Sequence, residues 1–339
     1  MTTLFRSTRG LELAAQALAA LALLLVLTLH LLASLLAGLL VYQLVHLMTP
    51  GLDRVFGQRR VGKIIALAFL ASVVVAVIAG ALLGAVALLS GGSDSLEALL
   101  RKLAEVVDTA RSHLPAWALS WVPADPDEMK RAGSEWLREH ASQLRSIGRD
   151  VWLTLVHVLI GMIIGGMVAV SREVGIMDRG PLATAMTERV RLLGSAFRNV
   201  VFAQVRISAL NTVLTAVYLL AVVPWIGEKL PLTKTMIAVT FVAGLLPVVG
   251  NLISNTVIVM VSLSASPLLA VYSLVFLVVI HKLEYFVNAR VMGSHINARA
   301  WELLVAMVAM EAAFGLPGLV AAPIFYAYLK NELAAKALI

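Results

Sequence analysis

The sequence predicts an all-α, polytopic membrane protein with about eight transmembrane helices. Of its 339 residues, 60% are hydrophobic and 14% are charged, whereas soluble domains carry about 25% charged residues. Several apolar runs reach the ~18 residues that mark a membrane-spanning helix. The net charge is +7, and the basic residues lie in short loops between these runs. This distribution is typical of the positive-inside rule and does not indicate nucleic-acid binding.

The first apolar run, residues 11–48, predicts two crossings instead of one. A single helix of this length would measure about 57 Å, nearly twice the ~30 Å hydrocarbon core. Basic residues flank both ends, with Arg6 before the run and Arg54 and Lys63 after it. Both ends therefore favour the cytoplasm, and we predict a tight turn near His30. A cleaved signal peptide is the alternative, but no small-residue cleavage site leads into a polar chain.

A third span is predicted at 64–89, and the only hydrophilic region follows at 93–150. This region has ten acidic and eight basic residues, apolar residues at helical spacing in 96–110, and a capping pattern at 125–128. We interpret it as an extramembrane helical hairpin on the outer surface, between two membrane segments that comprise residues 1–92 and 151–339.

The C-terminal segment predicts five further spans and one amphipathic helix at the cytoplasmic face. The spans are 151–170, 207–225, 235–263, 267–287 and 303–328, and the amphipathic helix is 178–206. Eight crossings place both termini in the cytoplasm.

The sixth span contains a helix break, Phe-Val-Ala-Gly-Leu-Leu-Pro-Val-Val-Gly-Asn at residues 241–251. Pro247 and Gly250 interrupt a helix in a segment apolar enough to enter a bilayer, and Asn251 follows them. Non-helical backbone at membrane depth is tolerated only inside protein or beside a wet cavity, so such breaks are typical of transport sites. The sequence leaves open whether the span is a kinked crossing or a re-entrant hairpin.

Amide and hydroxyl side chains near the break are candidates for a substrate or ion pathway. Asn251, Asn255 and Ser262 share one helix face by their spacing, and Gln204 and Asn211, seven residues apart, share another. These groups suit a small polyhydroxylated solute, or a sodium ion bound through oxygen atoms. The alternative is that they only form hydrogen bonds between helices.

Ionisable residues in the last two spans are candidates for proton coupling. Glu311 lies within an apolar stretch, and His281 and Glu284 are three residues apart on one helix face. The alternatives are a hydrogen-bonded carboxyl that ties helices together and, for Glu284 and Glu302, solvation at the membrane edge. We predict that Gly315 and Gly318 let the last span bend, with Pro317 and Pro323 producing a second broken segment.

Three blocks in the C-terminal half give the chain a family resemblance. They are Leu-Pro-Val-Val-Gly at 246–250, Leu-Glu-Tyr-Phe at 283–286 with Val-Met-Gly at 291–293, and Gly-Leu-Pro-Gly-Leu-Val-Ala-Ala-Pro at 315–323. In order and spacing they resemble the autoinducer-2 exporter family over roughly residues 202–332. Asn251 and Ala289-Arg290 depart from the pattern, where the family often has proline.

The resemblance implies a secondary transporter in the bacterial cytoplasmic membrane. It implies export of a small polar metabolite such as autoinducer-2, with the proton gradient as driving force, or alternatively sodium/proton exchange. It also implies a homo-oligomer, with a pentamer as one stoichiometry. Gln204 falls where the family commonly has glutamine.

The sequence predicts no enzymatic activity, no cofactor and no metal site. It has no phosphate-binding glycine loop followed by Lys-Ser/Thr, no His-Glu-x-x-His and no Gly-x-Ser-x-Gly. It contains no cysteine. The competing hypothesis from another class is a non-transporting oligomeric membrane scaffold, which predicts that Asn251, Asn255 and Glu311 tolerate apolar substitution.

Overall fold

The computed structural model describes residues 2–90, 135, 139, 141–171, 180–246, 249–292 and 299–338. The described residues are almost all helical and include no strand, which confirms the predicted all-α class. In chain order the helices are α1 (Thr2–Thr28), α2 (Leu32–Phe56), α3 (Arg59–Ser90), α4 (Ala141–Val170), α5 (Pro181–Val217), a π-turn (Tyr218–Val222), α6 (Val223–Trp225), α7 (Thr233–Gly244), α8 (Val249–Ala265), α9 (Pro267–Met292) and α10 (Ala300–Ala335).

By length and composition alone, six of the described helical segments could cross a membrane, and three shorter apolar helices accompany them. One of the six, Trp301–Ala335, contains non-helical backbone at Gly315. The chain is therefore a multi-pass membrane protein. The extramembrane hairpin predicted within 93–150 lies largely outside the described residues, and α4 begins at Ala141, ten residues before the predicted fourth span.

The chain divides into two compact units. Unit 1 comprises Met1–Ala76, Gly148–Val201 and Gly293–Ile339, and unit 2 comprises Val77–Ile147 and Phe202–Met292. The boundary between Val201 and Phe202 falls inside α5, so this helix contributes its first half to unit 1 and its second half to unit 2.

The predicted turn near His30 is confirmed. Helix α1 ends at Thr28, α2 begins at Leu32, and His30 adopts the left-handed conformation with φ of 57°. The Leu31 N–H donates to the Val26 carbonyl at 2.8 Å and closes the end of α1. A non-glycine residue at positive φ is uncommon, although histidine is among the residues enriched there.

In unit 1, α2 and α4 pack through glycine. A methyl group on Gly161 would overlap the carbonyl oxygen of Ser34, and one on Gly165 would overlap that of Gly38. The two backbones are therefore in direct contact, which only residues without a side chain permit.

The amphipathic helix predicted at 178–206 and the span predicted at 207–225 are not separate elements. The structure runs from Pro181 to Val217 as one helix, because no proline interrupts it before Pro224. The ring of Pro224 disfavours the regular α-helical turn that precedes it. The chain forms a π-turn there, in which the Val223 N–H donates to the Tyr218 carbonyl.

The break predicted in the sixth span is confirmed, and the two helices beside it form a hairpin. Helix α7 ends at Gly244 and α8 begins at Val249. The two helices pack side by side, and Met236 and Ile258 belong to one buried cluster although they lie on opposite sides of the break. With 12 residues, α7 measures about 18 Å and is too short to cross a ~30 Å core. We call α7, α8 and their connection hairpin A. Because its two helices pack side by side, this segment is not a kinked single crossing.

Helix α10 also folds back on itself. Gly315 has φ 64° and ψ −149°, a conformation that is essentially restricted to glycine. The Glu302 carboxylate accepts a hydrogen bond from the Tyr326 hydroxyl at 2.8 Å and forms an ion pair with Lys330 at 3.1 Å. In a straight helix Glu302 and Tyr326 would be about 36 Å apart. We call this element hairpin B, with arms 300–314 and 316–335.

The single crossing predicted for 303–328 is therefore wrong, because the chain reverses at Gly315 and returns. The proline that follows, Pro317, occupies the first turn of the second arm, where its missing N–H costs nothing. In unit 1 the end of this arm lies beside the start of the chain, since Lys336 Nζ is 3.3 Å from Glu12 Oε2. The beginning of α1 and the end of α10 thus lie close together.

Candidate functional site

A row of polar side chains on α5 faces the broken end of hairpin A in unit 2. Gln204, Ser208 and Asn211 are spaced by four and three residues, so they share one helix face. Gln204 Nε2 donates to the Gly244 carbonyl at 2.7 Å, and Ser208 Oγ donates to the Phe241 carbonyl at 2.6 Å. Ser208 is 1% exposed, so this contact is sealed from the surroundings. The α5 row therefore completes the backbone hydrogen bonding at the end of α7.

The break creates the need for these donors. The last four carbonyls of a helix have no partner within the helix, and in an apolar environment each unpaired group costs several kcal/mol. Gln204 and Ser208 bind two carbonyls in the last turn of α7. The non-helical backbone at the break is thereby stabilised by side chains of α5.

The start of α8 lies beside the same row. Asn211 Nδ2 donates to Asn251 Oδ1 at 3.2 Å, and Asn211 is 7% exposed. The structure thus brings Gln204, Asn211 and Asn251, three residues predicted for the pathway, together at one place. Asn255, one turn further along α8, is half-buried, and its side chain makes no hydrogen bond to the described residues. Its amide can still bind a ligand.

Glycine lets the two arms of hairpin A meet. A methyl group on Gly250 would overlap the carbonyl oxygen of Ala243, and one on Gly244 would lie 2.7 Å from Ser208 Oγ. The predicted pathway residue Gly250 is therefore a contact point between the arms. Pro247 lies outside the described residues.

The two helix ends give the tip of hairpin A a mixed electrostatic character. The C-terminal end of α7 carries a partial negative charge, and the N-terminal end of α8 carries a partial positive charge. Together with the asparagine amides they can bind a neutral, hydroxyl-rich molecule, which both donates and accepts hydrogen bonds. The carbonyl end of α7 by itself favours a cation.

Ser262 does not belong to this site. It lies eleven residues beyond Asn251 on α8, about 16 Å along the helix. Its hydroxyl is 2.7 Å from that of Ser273, which is 2.9 Å from the hydroxyl of Tyr218. Both serines are fully buried. The Tyr218 ring also stacks on Phe276 at 3.9 Å between centroids. This hydroxyl chain joins the π-turn to α8 and α9, far from the break.

The predicted coupling and hinge residues fall in different places. In unit 1, Glu311 is exposed on the first arm of hairpin B, four residues before Gly315. Gly315 forms the bend itself, and a methyl group on Gly318 would overlap the carbonyl oxygen of Met310, so Gly318 lets the arms approach. In unit 2, His281 and Glu284 belong to α9, but their side chains lie outside what the structure describes.

The sequence matches the model for the AI-2E family transporter across residues 15–337, nearly the whole chain. The chain belongs to the AI-2E transporter family. No curated protein and no solved structure matches it. The resemblance drawn from the blocks at 246–250, 283–293 and 315–323 is thus confirmed, and the protein is a membrane transporter.

The sequence patterns did not indicate several residues that form stabilising contacts in this AI-2E transporter. Ser208 and Gly244 were overlooked at hairpin A, although the spacing of Gln204, Ser208 and Asn211 was visible in the chain. Glu302 was expected to be solvated at the membrane edge, but the structure pairs it with Tyr326 and Lys330. No local pattern indicates that pairing, because its partners are more than twenty residues away.

Proposed function

We propose that this AI-2E transporter is a secondary transporter that exports a small polar metabolite such as autoinducer-2, with hairpin A as its binding site. The observation that supports this proposal best is the α5 row of Gln204, Ser208 and Asn211 against the broken helix. Transporters with discontinuous helices have their substrate sites at the point where the helix is interrupted, and in this chain polar side chains gather at that point.

Asn255 is the residue through which we expect the substrate to be recognised. Gln204, Asn211 and Asn251 are engaged within the protein, whereas the half-buried Asn255 amide has donors and an acceptor to offer. An amide matches the hydroxyl groups of a polyhydroxylated solute, which donate and accept hydrogen bonds in the same way.

Coupling to the proton gradient is assigned to Glu311, with His281 and Glu284 as further candidates. A carboxylate at the centre of a bilayer costs at least ~2.5–3.5 kcal/mol on insertion scales, so it marks a functional position by default. Glu311 is exposed within the stretch 303–314 of hairpin B, whose other residues are all apolar, and an exposed carboxylate can exchange a proton with water.

Sodium/proton exchange is the second candidate, and the geometry of α7 favours it in one respect. The carbonyl end of a half-helix is the arrangement that coordinates Na⁺ in broken-helix transporters. Asn251 Oδ1 and the nearby Asn255 side chain would add oxygen ligands. A non-transporting scaffold is the third hypothesis, and membership of a transporter family argues against it.

We further propose that the protein resides in the bacterial cytoplasmic membrane, with both termini cytoplasmic, as a homo-oligomer in the lipid bilayer. The proximity of Glu12 and Lys336 supports termini on one side, and the basic loops favour the cytoplasm. Residues 93–150 would then lie outside the cell between two membrane segments.

Proteoliposomes loaded with autoinducer-2 and a pH indicator test the proposal. Asn255→Leu is expected to reduce efflux at least tenfold, while Asn199→Leu, a half-buried asparagine of α5 in unit 1, leaves it unchanged. Glu311→Gln is expected to uncouple efflux from proton movement. Equal efflux from both asparagine variants would contradict the assigned site. A sodium-driven pH change without efflux would support the exchanger, and no flux of either kind would support the scaffold.

A further inference from the structure

Three helices of unit 1 meet at one buried carboxylate near the ends of the chain. Glu332 Oε1 on α10 accepts a hydrogen bond from Gln16 Nε2 on α1 at 2.7 Å. The same oxygen is 2.9 Å from Arg189 Nη2 on α5. The Arg189 and Glu332 side chains are 7% and 9% exposed. This contact fastens the returning arm of hairpin B to the first helix and to α5.

A second ion pair lies one turn further out on the same two helices. Lys336 Nζ is 3.3 Å from Glu12 Oε2, and these side chains are 26% and 54% exposed. Glu12 and Gln16 are four residues apart on α1, as are Glu332 and Lys336 at the end of α10. The contacts therefore form two parallel rungs between antiparallel segments. The outer rung, Glu12 with Lys336, is accessible to solvent, and the inner rung, Gln16 and Arg189 with Glu332, is buried.

The inner rung does not satisfy its own polar groups. Arg189 Nε and Glu332 Oε2 are both buried and have no hydrogen-bond partner among the described residues. A buried ion pair offsets its desolvation only when the remaining donors and acceptors are satisfied. A half-satisfied polar network loses that benefit, so access of water to these two groups would remove part of the cost of burying them.

We propose that Glu12, Gln16, Arg189, Glu332 and Lys336 form a clasp that opens and closes between α1, α5 and the end of hairpin B. The outer pair opens first because water already reaches it, and the inner group of three then becomes hydrated. When the clasp is open, the second arm of hairpin B keeps its apolar contacts, the contacts of Tyr326 and Lys330 with Glu302, and the hydrogen bond from Asn331 Nδ2 to Ser195 Oγ at 3.4 Å. The relevance of the clasp to transport rests on the proposed function.

Single-cysteine labelling measures the opening directly, because the chain has no cysteine of its own. Ala15 is 0% exposed and lies on α1 between the two rungs. Gly10 is exposed, and a Cβ at this position would have nothing within 4 Å, so it serves as the accessible control. In purified protein we expect N-ethylmaleimide to react with Ala15→Cys at least tenfold more slowly than with Gly10→Cys.

Breaking either rung should raise the Ala15→Cys rate severalfold without changing the Gly10→Cys rate. Glu332→Gln tests the inner rung and Glu12→Lys the outer rung. The charge swap Glu12→Lys with Lys336→Glu is expected to restore slow labelling. Because this pair is partly exposed, its variants are expected to fold even if Glu332→Gln does not. Two results would refute the proposed clasp. One is an Ala15→Cys labelling rate that is the same in all variants, and the other is fast labelling of Ala15→Cys when both rungs are intact.

A cross-link distinguishes failure of the clasp from failure of the proposed function. Glu12→Cys with Lys336→Cys, joined by a bifunctional maleimide, is expected to lower flux at least tenfold relative to the same variant without the linker. Unchanged flux after linking would refute the need for opening. Absence of flux before linking, with labelling rates as expected, would instead count against the transported solute.

Discussion

Substitution of Gly250 tests the contact between the two arms of hairpin A most directly. A methyl group on this residue would overlap the carbonyl oxygen and carbon of Ala243 and lie 3.0 Å from the Gly244 Cα. All three neighbours are backbone atoms, so no change of rotamer can relieve the overlap. The arms must separate, or the first turn of α8 must unwind.

The magnitude follows from two opposing contributions. Replacing glycine by alanine within a helix stabilises the helix by about 1 kcal/mol, whereas overpacking costs about 1–3 kcal/mol. We therefore expect Gly250→Ala to lower the free energy of unfolding by up to about 2 kcal/mol. Gly250→Val, with a bulkier side chain and a smaller gain in helix propensity, is expected to lower it by about 3 kcal/mol.

The control is Gly51→Ala in α2, where nothing lies within 4 Å of the added methyl group. That substitution is expected to be neutral or to stabilise by about 1 kcal/mol. Thermal and chemical unfolding of the purified variants give the stability order, and flux in proteoliposomes gives the functional order. If Gly250→Val unfolds like Gly51→Ala and transports normally, the close approach of the arms is not part of the mechanism.

Three further predictions concern the remaining contacts. Ser273→Ala should destabilise unit 2 more than Tyr218→Phe, by about 1–3 kcal/mol. It removes both hydrogen bonds of the hydroxyl chain and leaves two buried hydroxyls unpaired. Equal effects of the two substitutions in chemical unfolding would contradict the linear chain. Glu302→Gln should speed proteolysis within hairpin B more than Tyr326→Phe does, since it also removes the ion pair with Lys330. Identical cleavage rates for the two variants would show that this ion pair is unimportant. Gly161→Leu should separate α2 from α4 and lower Tm by several degrees, and an unchanged Tm would show that their backbones are not in contact.

Local signals predicted much of the fold. Composition and run length determined the all-α membrane class, and the length of the first apolar run, with basic residues on both sides, located the turn at His30. Pro247 and Gly250 located the end of α7 and the start of α8. These features depend on residues close together in the chain, so they can be read without knowing the tertiary contacts.

The direction of the chain after each break was decided by tertiary contacts. A glycine such as Gly315 permits both a kinked crossing and a reversal, and the reversal is seen only from the contacts of Glu302 with Tyr326 and Lys330. Sequence alone therefore predicted one crossing where the structure forms a hairpin.

The sequence by itself determined that this chain is a helical membrane transporter of the AI-2E family, and it named the polar residues of the break. Only the tertiary structure showed that Gln204, Ser208 and Asn211 complete hairpin A, that Ser262 lies elsewhere, and that Glu332 is buried against Arg189. The physical reason is that a helix break leaves backbone groups whose partners must come from distant segments. Spacing within one helix fixes which side chains share a face, but not what that face contacts.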